Sequence, residues 1–192
     1  MTKDRLAAFT DAVIAIIMTI LVLELEKPSG GSLAALWALR KPFAAYVLTF
    51  WWLGSFWIAH HNMWHDAEQI DNAVVWWSML VMFFLSLVPY TTSFVSENFD
   101  SATAQGFYGM IIIASTFSHV GLNKALGTAN ADVEGLKTAC DTYAWLLSID
   151  CIIKTVGFLF AVSIWPPAMM LGVILAAIFT YRMRDRWGIW AK

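Results

Sequence analysis

The chain has 192 residues, of which 59% are hydrophobic and only 14% are charged, and its mean hydropathy is +0.64. A soluble domain of this length carries more charge, so the composition excludes that class and indicates an integral membrane protein. The formal net charge of −2 argues against nucleic acid as a partner.

Long apolar runs divide the chain into segments of about 20 residues, the length that crosses a bilayer as a helix. Six such runs predict an all-α fold, a single six-helix transmembrane domain over residues 1–192. The predicted spans cover residues 7–25, 43–62, 72–94, 104–122, 139–162 and 166–183. In the fourth span, Gly106 and Gly109 are spaced for close contact with another helix. A short helical turn is expected around LAALWALR in the loop at 26–42.

The distribution of lysine and arginine predicts the orientation of these spans. With six spans, both termini lie on one side of the membrane. The basic residues on that side are Lys3, Arg5, Lys124, Lys137, Arg182, Arg184, Arg186 and Lys192. The other side has only Lys27, Arg40 and Lys41. Because cytoplasmic loops carry the excess of basic residues, both termini are predicted to be cytoplasmic.

One face of the first span combines apolar residues with a hydroxyl. Ile16, Thr19, Ile20 and Leu23 follow the spacing i, i+3, i+4, i+7 and therefore share a helix face. Thr19 is the only side-chain polar group in the middle of this run. Its hydroxyl either serves a function on this face or bonds the backbone carbonyl of Ala15, one turn earlier.

The cytoplasmic start of the first span carries charges that need partners. Arg5 and Asp11 lie at the depth at which the second span ends in the sequence AHHNMWH, so His60, His61 and Asn62 can face them. Polar groups in lipid are costly unless they are partnered. A network of Arg5, Asp11 and a histidine is therefore predicted to clamp the first span to the second. The alternative for Arg5 is that it extends to the lipid head groups.

Two further charges lie deep in the fifth span. Asp150 and Lys154 are spaced i, i+4, so they can neutralise each other on one helix face. An internal pair that holds the bundle together is the favoured interpretation. A proton or ion relay is the alternative, and it would make the protein an ion- or proton-coupled secondary transporter.

Two other patterns resemble functional motifs. HHNMWH at 60–65 has histidines spaced i, i+4, and Asp66, Glu68 and Asp71 follow, but a membrane metalloenzyme needs more ligands, so no metal site and no catalytic residue are predicted. TVGF at 155–158 resembles the TVGYG filter of ordinary potassium channels. It lacks the final glycine and lies inside an uninterrupted apolar span, so it is not interpreted as a filter.

The segment RLAAFTDAVIAIIMTILVLEL at 5–25 resembles the first helix of the transmembrane protein 175 family, which comprises potassium channels of endosomes and lysosomes and their prokaryotic relatives. The family signature R-x-x-x-F-S-D corresponds here to Arg5, Phe9, Thr10 and Asp11, with threonine in place of serine. HHN at the end of the second span and LVPYTTSF at the end of the third also resemble the family. The likeness is specific in the first half of the chain and rests on the layout of spans in the rest.

The resemblance implies a potassium channel that is a homotetramer, has no TVGYG filter or re-entrant pore loop, and needs no cofactor beyond the permeant K⁺ ions. In the family, the first helix lines the pore. Carried over by position, Ile16 forms the first apolar constriction, a hydrophobic gate, and Ile20 and Leu23 form further ones. Thr19 then supplies a layer of hydroxyls that contributes to potassium preference. A lone six-span copy implies a prokaryotic plasma membrane.

Two glutamates lie at the outer end of the first span. Glu24 and Glu26 would form rings that concentrate cations at the mouth of such a pore. Alternatively, they are ordinary solvated loop charges or pair with Arg40.

Overall fold

The computed structural model describes residues 2–187; Lys192, one of the basic residues used to predict the orientation, lies outside them. The described residues form helices and no strand, which confirms the all-α prediction. The helices are α1 (Lys3–Leu23), α2 (Leu33–Ala38), α3 (Arg40–Asp66), α4 (Asn72–Ser86), α5 (Val88–Glu97), α6 (Ala102–Ala129), α7 (Leu136–Ser163) and α8 (Ala168–Arg186). The short turn expected around LAALWALR is α2.

Four segments of the described chain are long and apolar enough to cross a membrane: Lys3–Leu23, Arg40–Asp66, Asn72–Glu97 and Leu136–Ser163. The predicted spans at 104–122 and 166–183 lie in α6 and α8, which are not among these four. The sequence explains both cases. Helix α6 buries many polar side chains, and α8 ends in a turn that carries Arg184 and Arg186.

The third predicted span, 72–94, is not one continuous helix. It divides at Leu87 into α4 and α5, and Pro89 lies in the first turn of α5. A proline inside a helix removes one hydrogen bond and clashes with the preceding turn, whereas in a first turn it is tolerated. The break therefore lies where the sequence places the proline.

Side-chain caps fix the starts of three helices. Ser32 accepts a hydrogen bond from the Ala35 backbone at the start of α2, over 3.2 Å. At the start of α4, Asp71 accepts from the Val74 backbone N–H over 2.8 Å, and at the start of α6, Ser101 accepts from the Ala104 backbone N–H over 3.4 Å. Each cap satisfies a backbone N–H that the helix itself cannot pair.

Close helix contacts build the half of the bundle formed by α6, α7 and α8. A Cβ atom added to Gly109 of α6 would lie 2.5 Å from the Met169 sulfur of α8, and one added to Gly106 would lie 3.1 Å from an α7 side chain. The contact predicted for these two glycines is therefore confirmed. Helices α7 and α8 also cross at a glycine pair, since a Cβ on Gly157 would lie 3.0 Å from the Cα of Gly172. The other half is formed by α1, which packs against α3, α4 and α5.

Candidate functional site on the first helix

Helix α1 has one buried stripe and one exposed face. The buried stripe consists of Leu6, Thr10, Ile14, Ile17 and Leu21. On the other side of the helix, Ile16 is 57% exposed and Leu23 is 79% exposed. Thr19 is exposed as well, and Ile20 is half-buried. The face predicted from the sequence spacing is thus turned away from the core of its own chain.

The Thr19 hydroxyl is bonded to the helix backbone. Its Oγ1 donates to the Ile16 carbonyl over 2.8 Å, rather than to the Ala15 carbonyl that the sequence offered as the alternative acceptor. A hydroxyl has one proton and two lone pairs. Because the proton is directed to the backbone, the oxygen lone pairs remain on the exposed side, where they can act as acceptors or cation ligands.

A buried hydrogen-bonded chain ties α1 to α3. The Thr10 hydroxyl lies 3.1 Å from His60 Nε2, and the Trp64 indole N–H donates to the same nitrogen over 2.8 Å. An indole nitrogen is only a donor, so His60 Nε2 is an acceptor and the ring proton is on Nδ1. Thr10 and His60 are each 0% exposed. This contact fixes the N-terminal part of α1 against α3.

The Asp11 carboxylate is held by a different residue of α3. The Trp57 indole N–H donates to Asp11 Oδ1 over 3.0 Å, and the Trp57 ring lies 5.7 Å from the ring of His61. Arg5 is exposed, and no ion pair between it and Asp11 occurs among residues 2–187. Phe9 is exposed too, at 45%.

The predicted clamp between the first two spans exists, but its partners differ from the prediction. A histidine does bind α1, yet it contacts Thr10 and not Asp11. His61 is exposed and Asn62 is half-buried, so neither supplies the predicted contact to Asp11. His61 lies one turn after Trp57 on the same side of α3, with its ring 5.7 Å from the Trp57 ring, and it is the Trp57 indole that reaches the Asp11 carboxylate.

Sequence reasoning missed Trp57, Trp64 and Lys3. The two tryptophans could have been found from their spacing around His60. The Lys3 ammonium donates to the Ala67 carbonyl over 2.7 Å, which ties the start of α1 to the end of α3. No local sequence signal identifies that contact, since the acceptor is a backbone group.

The C-terminal end of α1 leads into two exposed carboxylates. Glu24 caps the helix, and Glu26 follows two residues later in an irregular segment; both are exposed. Arg40 donates to the Trp37 carbonyl over 3.2 Å and lies over the Trp37 ring. Within the described residues Arg40 forms no ion pair with either glutamate, so the predicted alternative pairing is not found.

The deep pair of α7 is fully engaged inside the chain. The Lys154 ammonium lies 2.5 Å from Asp150 Oδ2 and donates to Thr116 of α6 over 2.9 Å. Thr180 of α8 donates to Asp150 Oδ1 over 3.1 Å. The ammonium also lies 5.4 Å from the ring centre of Trp52 on α3. One ion pair thus connects four helices, as expected of an internal clamp.

The two other sequence patterns lie in ordinary helical surroundings. Among residues 2–187 there is no group of three or more histidine, cysteine or acidic side chains that could hold a metal ion. His60 faces α1, whereas His65 lies beside Asp66 with Nδ1 and Oδ1 2.9 Å apart. TVGF at 155–158 is part of the continuous helix α7.

Comparison with known proteins identifies the family. The sequence model of TMEM175, described as the endosomal/lysosomal potassium channel, matches residues 5–89. A potassium channel of Chryseobacterium sp. (strain P1-3) is 33% identical over 139 residues, which cover 72% of this chain and 72% of that protein. The chain belongs to the TMEM175 family. The resemblance carried by residues 5–25 is therefore confirmed, and the family is one of membrane ion channels, not of enzymes.

The chain is also similar to two further TMEM175 proteins. The endosomal/lysosomal proton channel TMEM175 of Mus musculus is 29% identical over 116 residues, which cover 52% of this chain but 23% of the mouse protein. A crystal structure of a lysosomal potassium-selective channel TMEM175 homolog from Chamaesiphon minutus covers 94% of this chain and 97% of its own, with a TM-score of 0.72 and 22% identity. At that identity, the likeness shows that the fold is shared.

Proposed function

We propose that four copies of this chain form a potassium-preferring channel whose pore is lined by α1. The observation that carries the proposal is the exposed face of α1. Ile16, Thr19 and Leu23 are turned away from the subunit core, although the same helix buries a complete apolar stripe on its other side. One chain of packed helices encloses no wide aqueous path, whereas four copies of one exposed helix face can surround one.

The chemistry of this face suits a gated cation path. Rings of Ile16, Ile20 and Leu23 would narrow the pore and close it by excluding water. The Thr19 ring would present oxygen lone pairs to a partly dehydrated K⁺ ion, because the hydroxyl proton is bonded to the Ile16 carbonyl. The bacterial relative and the Chamaesiphon homolog are both named as potassium channels, which supports the same ion here.

The contacts at the cytoplasmic end would keep the pore helix in place. Thr10 and Asp11 bind α3 through His60 and Trp57, on the side of α1 away from the proposed pore. Arg5 and Phe9 complete the helix-1 motif but are exposed in a single copy. We assign them to contacts that form when the copies assemble.

The proposed membrane arrangement has six crossings. Helices α1, α3, α6, α7 and α8 each cross once, and α4 with α5 forms the remaining crossing. Both termini are then cytoplasmic, as the excess of lysine and arginine on that side requires. The bacterial channels that this chain resembles support a prokaryotic plasma membrane as its location.

Potassium flux from liposomes tests the function. The parent is expected to release K⁺ faster than Na⁺, Ile16→Asn to enlarge the flux by hydrating the constriction, and Thr19→Ala to reduce the preference for K⁺. Both substitutions are on exposed sites, so changes in stability of no more than about 0.5 kcal/mol are expected. A pH-sensitive dye records protons separately, since the mouse relative is named a proton channel.

The carrier alternative makes a different prediction for Asp150. If the buried pair were a relay, the parent would show saturable, substrate-coupled flux. Asp150→Asn would then abolish that flux. The channel proposal predicts that folded Asp150→Asn protein still conducts. Proton release without potassium release, or no electrogenic flux in any well-folded variant, would contradict the channel proposal.

A further inference from the structure

A small cavity lies beside the buried ion pair, between α3, α6, α7 and α8. Its volume is about 60 Å³, and water needs about 10–15 Å³ on this scale, so there is room for about four waters or one small ligand. Its lining includes the polar side chains of Ser55, Thr116, His119, Asp150, Lys154, Thr180, Tyr181 and Arg184. The cavity is separate from the exposed face of α1, and nothing in the proposed pore uses it.

The charges around this cavity do not balance. The Asp150 carboxylate is paired with the Lys154 ammonium at 2.5 Å. Arg184 is the second cation, and within residues 2–187 it forms no ion pair. Its guanidinium lies over the Tyr181 ring at 5.7 Å. The lining therefore carries one positive charge in excess.

A buried ring nitrogen at the cavity also lacks a partner. His119 is 1% exposed, and its Nε2 has no hydrogen-bond partner within the described chain. Buried polar atoms in folded proteins are nearly always paired, and an unpaired one points to an unseen water, ion or ligand. An imidazole nitrogen that carries its proton donates a hydrogen bond, which an anion can accept.

The apolar residues that line the rest of the cavity favour a small organic anion as its ligand. Trp52, Phe56, Tyr143 and Leu147 line the cavity with apolar surface, which excludes water and strengthens electrostatic attraction. A guanidinium presents two parallel N–H donors that match the two oxygens of a carboxylate. A carboxylate the size of formate or acetate satisfies the charge, the donors and the volume together.

We propose that this cavity is a binding site for one small monovalent carboxylate, which enters at the end of the bundle where α8 terminates and is held by Arg184 and His119 beside the Asp150–Lys154 pair. The site does not depend on the proposed pore. The bound anion would cancel the excess charge and connect the last turns of α8 to α6 and α7.

Thermal unfolding of the full chain in detergent tests the site. Potassium formate replaces potassium gluconate stepwise at constant ionic strength, because gluconate is too large for the cavity. The melting temperature of the parent is expected to rise and saturate, since a ligand that binds the folded state stabilises it. Arg184→Gln is expected to weaken the apparent affinity at least about tenfold through loss of a charge-assisted pair. Arg182→Gln, an exposed arginine of the same helix end, is the matched control and should bind like the parent.

A direct binding measurement covers the case in which Arg184→Gln does not fold. Saturation-transfer NMR of the formate proton is expected to give a signal with the parent and with Arg182→Gln, and to lose it when excess acetate competes. Absence of transfer to the parent, or a melting temperature that does not respond to formate, would overturn the proposal and leave a water-filled cavity. Stabilisation by vesicles of phosphatidylglycerol over phosphatidylcholine without any response to formate would also overturn it, in favour of a lipid head group.

Discussion

Polar residues in the membrane-spanning part of this chain have two opposite environments. On α7, Asp150 and Lys154 are buried and bonded to α6 and α8, so their charges are satisfied within one subunit. On α1, Thr19 is exposed between apolar residues and bonded only to its own helix. The difference separates a group that stabilises the fold from a group available to an ion. Under the proposed function, the more costly residues, the buried charges, are the structural ones.

The largest expected effect comes from breaking the buried pair. Lys154→Met leaves the Asp150 carboxylate buried without its partner, which is expected to reduce the free energy of unfolding by about 3–5 kcal/mol. Unfolding in detergent measures this loss. Lys137→Met is the matched control, because Lys137 forms an i, i+4 pair with Asp141 on the same helix but in solvent, and its loss should remain below about 0.5 kcal/mol.

The double substitution Asp150→Asn with Lys154→Met sharpens that result. It removes both charges, so most of the stability should return. A double variant as unstable as Lys154→Met alone would show that the pair does not act as a charge-neutral clamp.

A smaller loss is expected at the contact between α1 and α3. His60→Ala removes the acceptor of the Trp64 indole, and this buried donor left without a partner should cost about 1–3 kcal/mol, whereas the Thr10 hydroxyl keeps its bond to the Ala7 carbonyl. The comparison variant is His61→Ala, whose side chain is exposed on the neighbouring face of α3. Equal stability of the two variants would contradict the clamp described here.

The smallest effect is expected at the outer mouth of the proposed pore. Replacing Glu24 and Glu26 by glutamine removes exposed charges that would concentrate cations, so conductance should fall at low salt and match the parent at high salt. Single-channel recording at two potassium concentrations measures this. Unchanged conductance at low salt would show that both glutamates are solvated loop charges without a role in concentrating cations.

Most helix positions could be predicted from the sequence because apolar runs of membrane length are a strong signal. The break at Leu87 was harder to place, since Pro89 lies within an apolar run and only the backbone shows that α5 begins there. There is also a physical reason why α6 is not among the helices that are apolar enough to be recognised as membrane spans. Its polar side chains are buried against other helices, so it tolerates a composition that lipid alone would not accept.

The partners within the site were only partly predictable. The predicted depths of the residues correctly placed the start of α1 beside the end of α3. In two antiparallel neighbouring helices, the start of one lies beside the end of the other. The depths did not decide which residues touch, because that depends on helix rotation. Thr10 faces His60 and Asp11 faces Trp57. The spacing of Trp57, His60 and Trp64 made their shared face visible, but the proposed contacts between copies are not encoded in any local pattern.

The most direct test of the pore assignment compares two adjacent positions on α1. Ile16 is 57% exposed on the proposed pore face, and Ile17 is 4% exposed on the buried stripe. Each is replaced by cysteine in a Cys140→Ala, Cys151→Ala background, and potassium flux is recorded while silver ions, monovalent and thiol-reactive, are added. We predict rapid block of the Ile16→Cys channel and none of the Ile17→Cys channel. Equal sensitivity of the two, or block at Ile17 alone, would contradict a pore lined by this face of α1.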